Sequence, residues 1–327
     1  MRGFGAVAVV VIAMALVPFL GVSNVTLNFL IIALMIALAG QGWNVLGGYG
    51  GQYSFGHAAF FGTGAYVTAV LQVLYGVDAW IAFGLGIAGG ALIGAIVGGL
   101  TFRSGLRGSY FALVTLAFAE VLRILSSVAP VTGAGVGILV KLDLRPAAMQ
   151  FESRAGFYWM ILALVAVALT VTQIIERSRF GVWLIAVREN EDAAAALGVN
   201  ATAIKVIAMV ISGAITAAAG CFYVQYFLFI DSGLAYGTWI SIEALLTPII
   251  GGVGTVFGPL LGALVVRALG EGAQRITGGE APGLDLVVYG CVLVLIVGFA
   301  PRGLMGGLSQ LRSRLWHPAR AVKVHHG

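Results

Sequence analysis

The hydrophobic positions of this chain fall in long, nearly uninterrupted runs, and the polar positions gather between them. A helix needs about 20 mostly apolar residues to cross a hydrocarbon layer. Runs of that length lie at 4–21, 25–46, 54–75, 79–102, 109–129, 156–175, 204–228 and 283–300. The apolar stretch 239–272 is too long for one crossing. GGVGTVFGP at 251–259 interrupts it, where glycines and Pro259 weaken a continuous helix. It reads as two crossings, or as a crossing and a re-entrant piece. The pattern predicts an all-α integral membrane protein with about ten transmembrane helices.

Composition agrees. The 327 residues are 60% hydrophobic and 9% charged, against roughly 25% charged in a soluble domain. The 48 glycines suit membrane helices that approach closely through small side chains. Arg2 followed by an apolar run resembles a signal peptide, but the further runs favour a first transmembrane helix. Cys221 and Cys291 lie in apolar runs and read as packing residues.

Charge decides direction. Basic residues gather at Arg103 and Arg107, at Arg177, Arg179, Arg188 and Lys205, and at Arg302, Arg312, Arg314, Arg320 and Lys323. Placing all three groups in the cytoplasm follows the positive-inside bias. Ten spans with both termini cytoplasmic satisfy that placement, and 130–155 becomes a long external loop. Residues 1–309 form the transmembrane domain, with a cytoplasmic loop at 177–204. Residues 310–327 form a basic tail, disordered or resting on anionic lipid. The net charge of +5 belongs to loops, and no basic block with interleaved aromatics points to nucleic acid.

GGYGGQYSFGHAAFFGTGAY at 47–66 places His57 among glycines and apolar residues. A metal or catalytic site, a pore lining and tight helix packing compete to explain it. His57 has no His, Cys, Asp or Glu nearby, so a metal site is not expected. On a helix starting near Ser54, the residues Ala58, Gly62, Ala65 and Ala69 share one face as a packing seam. Ser54, His57, Phe61, Gly64 and Thr68 share the adjacent face. Gly86, Gly90, Gly94 and Gly98, four apart, make a second groove for close packing. Glu120 and Arg123, three apart, form an ion pair or belong to a pathway. Glu243 lies near a span start, and Arg267 and Glu271 are spaced to pair near a span end. There is no G-x-x-x-x-G-K-[ST] loop, so ATP hydrolysis would reside on another polypeptide.

The cytoplasmic loop is the most informative stretch. Asn190 can cap a short helix, with Glu191 and Asp192 in its first turn. Alanines and Leu197 continue it, and Gly198 is placed to end it. Asn200 or Thr202 can cap the next span. A short capped helix between two spans is a docking element, or an ordinary interfacial helix. Its small side chains favour a protein partner over lipid.

Five segments together resemble a known family. They are GQYSFGHAAFFGTGAY at 51–66, LRGSYFALVTLAFAEVLR at 106–123, SRFGVWLIAVRENEDAAAALGVN at 178–200, SIEALLTPIIGGVGTVFGPLLGA at 241–263 and FAPRGLMGGL at 299–308. In this order they resemble the LivM-type permease subunit of branched-chain amino acid ABC importers. The resemblance implies a bacterial inner-membrane permease working with a homologous sister permease, two cytoplasmic ATPases and a periplasmic binding protein. It implies no cofactor on this chain, with ATP and magnesium on the ATPases. It also implies that 178–200 couples to the ATPase, with Arg188, Glu189, Asn190, Glu191, Asp192, Ala195, Leu197 and Gly198 as the docking candidates. The pathway would then lie against the sister subunit, with Ser54, His57, Phe61, Glu120, Thr255 and Phe257 as candidate lining. A glycine pair, a hydroxyl residue and Phe-Gly recur near 50–57 and 251–258. This suits an internal repeat that places two broken helices near the midplane. A permease for urea, short amides or other amino acids, a stand-alone channel or secondary transporter, and a membrane enzyme are the competing classes.

Overall fold

Ser23 opens the first long buried helix by accepting a hydrogen bond from the Thr26 amide at 3.2 Å, and the chain then stays apolar to Trp43. In the computed structural model, which describes residues 2–277, 287, 290, 291 and 303–306, this helix is the second of twelve. The helices are α1 (Arg2–Ala15), α2 (Asn24–Trp43), α3 (His57–Val73), α4 (Ala79–Arg103), α5 (Gly108–Val128) and α6 (Arg154–Arg177). They continue as α7 (Arg179–Glu189), α8 (Glu191–Ala196), α9 (Ala201–Phe227), α10 (Ser232–Ala235), α11 (Thr238–Gly251) and α12 (Gly258–Thr277). A two-residue antiparallel pair, β1 (Ile138–Leu139) and β2 (Phe229–Ile230), is the sole sheet among the described residues.

Seven stretches of the described residues are long and apolar enough to cross a membrane. The apolar run at 239–272 divides as expected, into α11 and α12 with a break at 252–257. Most of the run 283–300, Arg302, and the basic tail 310–327 with Arg312, Arg314, Arg320 and Lys323 lie outside the described residues. Large apolar side chains such as Ile12, Ile81, Leu92, Val121 and Val167 stand exposed around the bundle, where lipid or another membrane subunit covers them.

α9 sits at the centre because small residues let its neighbours reach its backbone. An added Cβ at Gly94 of α4 would stand 2.6 Å from the Met209 carbonyl oxygen, and one at Gly90 would stand 2.8 Å from that of Gly213. One at Gly86 would stand 2.6 Å from Cys221 Sγ, and one at Gly98 would stand 3.2 Å from Met209 Sδ. α3 is enclosed on several sides at once. Gly64 abuts the Ala217 backbone, Gly62 abuts the Tyr236 ring, and Ala58, Ala65 and Ala69 are buried.

One expectation about α3 is corrected here. The helix begins at His57, not Ser54, because Gly51 at φ +66° and the loop that follows turn the chain first. Ser54 therefore precedes the helix and shares no face with His57. The adjacent face is also as deeply buried as the small-residue seam, since α4, α9 and α11 surround the helix.

The charged residues sort to opposite ends of the bundle. At one end Arg177 lies over the Phe4 ring at 5.2 Å, and Arg107 reaches Glu191 at 3.2 Å. At the other end, residues 129–153 fold over the α3–α4 turn. There Trp80 Nε1 donates to the Pro146 carbonyl at 3.1 Å, and Gln150 braces Asp143 and Lys141. Arg145 pairs with Asp143 and holds its carboxyl below the usual carboxylate range through that hydrogen bond.

Candidate functional site

Two helix breaks meet inside the bundle. α2 passes at Trp43 into a π-helical turn, Asn44–Tyr49, and the chain then loops to α3. α11 carries Pro248, ends at Gly251, and gives way to Gly252 at φ +135° and Gly254 at φ +70°. Only glycine adopts such angles freely.

Asn44 joins the two breaks. Its Oδ1 accepts from the Gly254 amide at 2.9 Å, and its Nδ2 donates to the Thr255 carbonyl at 3.0 Å. Gln41, one turn earlier, donates to the Val256 carbonyl at 3.2 Å and to Thr172 Oγ1 at 2.8 Å. Both amides are buried. Irregular backbone within a membrane protein needs such partners, since no water or lipid supplies them. Trp43 Nε1 ties the first break back by donating to the Ser54 carbonyl at 2.8 Å. Thr255 Oγ1 donates to the Gly252 carbonyl at 2.8 Å and accepts from the Gly258 amide at 3.1 Å, so it caps α12.

The pathway candidates occupy three different environments. His57 Nε2 shares a hydrogen bond with Ser212 Oγ of α9 at 2.9 Å, and its ring meets Phe60 edge-on at 5.4 Å. Ser54 Oγ accepts from the Gly56 amide at 3.1 Å. Phe61 packs on Tyr223 with ring centroids 5.6 Å apart. These three are buried within this chain. Thr255 and Phe257 are half-buried at the second break. Glu120 and Arg123 form a two-pronged pair at 2.8 and 2.6 Å on the open face of α5.

The loop 177–204 forms two helices with local caps. Ser178 accepts from the Gly181 amide at 3.1 Å, Asn190 from Ala193 at 2.9 Å, and Asn200 from Ala203 at 3.0 Å. Gly198 ends the middle segment at φ +88°. Among the docking candidates, Arg188, Glu189, Asn190, Asp192, Ala195, Leu197 and Gly198 are exposed, with Leu197 at 87%.

Glu191 turns inward instead. It meets Lys205 of α9 at 2.6 Å and Arg107 at 3.2 Å, and the Lys205 ammonium lies 5.2 Å from the Phe102 ring centroid. Arg188 stays exposed on one side, while its Nη1 donates to the Gly48 carbonyl at 2.9 Å. Glu189 holds the other side of that guanidinium at 3.0 and 2.6 Å.

Residues 25–297 match the family described as branched-chain amino acid transport system / permease component. The chain belongs to this family. It is 28% identical to the high-affinity branched-chain amino acid transport system permease protein LivM of Salmonella typhimurium, across 91% of this chain and 73% of that one. It is also 28% identical to LivM of Escherichia coli K12, across 91% and 74%. LivH of E. coli K12 is 21% identical, across 83% of this chain and 91% of its own. No solved structure matches the chain.

In this LivM-type permease, sequence reasoning missed Gln41 and Asn44. A signal was present. They are two amides three residues apart inside an apolar run, hence on one helix face, where a polar side chain needs a partner.

Proposed function

We propose that this chain is one permease subunit of an ATP-driven importer for branched-chain or other hydrophobic amino acids. It works in the bacterial inner membrane with a homologous sister permease, two ATPases and a periplasmic binding protein. The family match carries the transport reading, and the names of its relatives supply the amino-acid class. α8 supplies the site of coupling. It is a short capped helix that presents Asp192, Ala195 and Leu197 at the end of the bundle where Arg107, Arg177 and Lys205 gather. ATP and magnesium belong to the ATPases.

The basic end faces the cytoplasm under this reading, and ten spans place both termini there. The opposite end faces the binding protein. A cleft of about 700 Å³ opens there between the α3–α4 turn and the long loop, with Asp78, Lys141, Asp143 and Arg145 on its walls.

The path runs beside the two breaks, against the sister subunit. A zwitterion with an aliphatic side chain needs a weakly polar route without fixed net charge, and helix ends with accessible backbone provide one. Thr255, Phe257 and Glu120 line the proposed path. Ser54, His57 and Phe61 support it from behind in this conformation. The small-residue contacts of Ala58, Gly62, Ala65, Gly86, Gly90, Gly94 and Gly98 hold the helices that frame it.

The test is association. Leu197→Asp with Ala195→Glu places charges on the proposed docking face, where a buried unpaired charge costs several kcal/mol. The expected result is at least about a ten-fold loss of ATPase co-purification, with the sister permease still bound. Undiminished ATPase binding together with normal uptake would remove α8 from the coupling interface. Uptake by this chain and its sister in liposomes without any ATPase would favour a secondary transporter.

A further inference from the structure

Arg188 was expected on the docking surface and keeps 36% of its side chain exposed, yet one edge of its guanidinium bonds inward to the bundle. Its Nη1 reaches the Gly48 carbonyl, 140 residues away in sequence, at 2.9 Å. Gly48 belongs to the first break. The same Nη1 lies near the second, because a Cβ added at Gly254 would stand 3.8 Å from it. The stem of Arg188 crosses Gly51, where any Cβ would collide with its Cγ and where φ is +66°. One guanidinium therefore bonds the first break and lies beside the second, at the place where Asn44 pairs them.

The root of that side chain lies in the last turn of α7, three residues before α8 begins. Asn190, the cap of α8, is extended at φ −158° and ψ 104°, so α7 and α8 meet at a bend. Glu189 occupies Nε and Nη2, which leaves Nη1 for Gly48. A planar guanidinium gripped on one edge has little freedom on the other. Displacing α8 relative to the bundle thus moves a fixed donor against the backbone of the first break.

We propose that Arg188 is a positioning residue that transmits movement of α8 to the paired breaks, and not a contact for the ATPase. This rests on the importer reading above. The Gly48 turn and the Gly252–Phe257 loop are held together while Arg188 bridges them, and they change their pairing when α8 is drawn away.

The experiment uses the complete complex in nanodiscs, with vanadate-trapped ATP as the closed state. Val253 stands 39% exposed on the second break and reports its accessibility. Val253→Cys is introduced with the exposed Cys291 changed to Ser, while Cys221 is buried. A membrane-permeant maleimide then measures the labelling rate with and without trapped nucleotide. With Arg188 present, trapping is expected to change the rate about ten-fold; with Arg188→Gln, by less than about two-fold, ATPase co-purification being unchanged. Arg188→Lys, which keeps a donor, recovers part of the change. Gly51→Ala pushes the Arg188 stem aside without removing the charge and is expected to blunt the response as well.

A full ten-fold response in both Arg188→Gln and Gly51→Ala overturns the proposal. Loss of the ATPases from Arg188→Gln also overturns it, because Arg188 is then a docking contact and the importer reading survives. A rate indifferent to trapping in the presence of Arg188 shows that the break does not move and overturns it too. Failure of the importer reading looks different: the unsubstituted chain retains no ATPase at all.

Discussion

Lys205 keeps 3% of its side chain exposed and Glu191 keeps 21%, so their contact at 2.6 Å is largely shielded from water. Breaking such a pair from one side leaves a charge with no solvent to receive it, at about 3–5 kcal/mol. Arg107 can partly compensate Glu191, but as a cation it offers nothing to Lys205. Glu191→Ala is therefore expected to lower the thermal stability of the purified complex clearly. Lys205→Met with Glu191→Leu, which removes both charges, should cost much less. Equal losses in a melting experiment would show that the pair is not what holds α8. The sequence announced Glu191 as a first-turn acid favoured by the helix dipole and as a docking candidate. The first role is local, and it says nothing of which way the carboxylate points. Residue 205 lies 14 positions on, across a turn and a cap, so its approach is a matter of how α9 enters the bundle.

Among the elements, α8 was the most legible and α3 the least. Caps act within four residues, so Asn190 and Gly198 could be read directly as start and stop. The α3 start was misplaced because an apolar run carries no mark of where its backbone leaves the helix. Only the glycine at 51 hinted at it. The α4 groove was legible as a spacing of four, but its partner was not. The structure shows that partner to be α9, met backbone to backbone. Gly94→Val is expected to force α4 and α9 apart, because the nearest atom is a carbonyl oxygen at 2.6 Å that cannot rotate away. Overpacking of this kind costs about 1–3 kcal/mol or more. Gly99→Ala meets nothing within 4 Å and should leave stability unchanged. Comparable yields and melting points of the two variants in detergent would contradict the packing account.

At the scale of the molecule, two helix–break–helix units meet through Asn44 and Gln41, and the charged end loops lie at opposite ends of the bundle. The orientation proposed from the basic residues is open to direct test. Leu139 and Leu197 are 72% and 87% exposed at the two ends. Leu139→Cys should react with an impermeant maleimide added to intact cells, and Leu197→Cys only after the membrane is opened. The reverse pattern would invert the topology.

The sequence by itself determined the quantities that depend on composition and short range: a membrane chain, the positions of its long helices, the caps of the segment 177–204, and the family. Hydrophobic length and capping are local, and a bilayer imposes them on each segment separately. The tertiary structure alone decided that Asn44 closes on Gly254 across 210 residues, that Arg188 reaches Gly48, and that His57 spends its Nε2 on Ser212. Apolar helices carry few marks of their neighbours. Which small residue faces which backbone, and which buried polar group finds which partner, depends on all the helices packing at once.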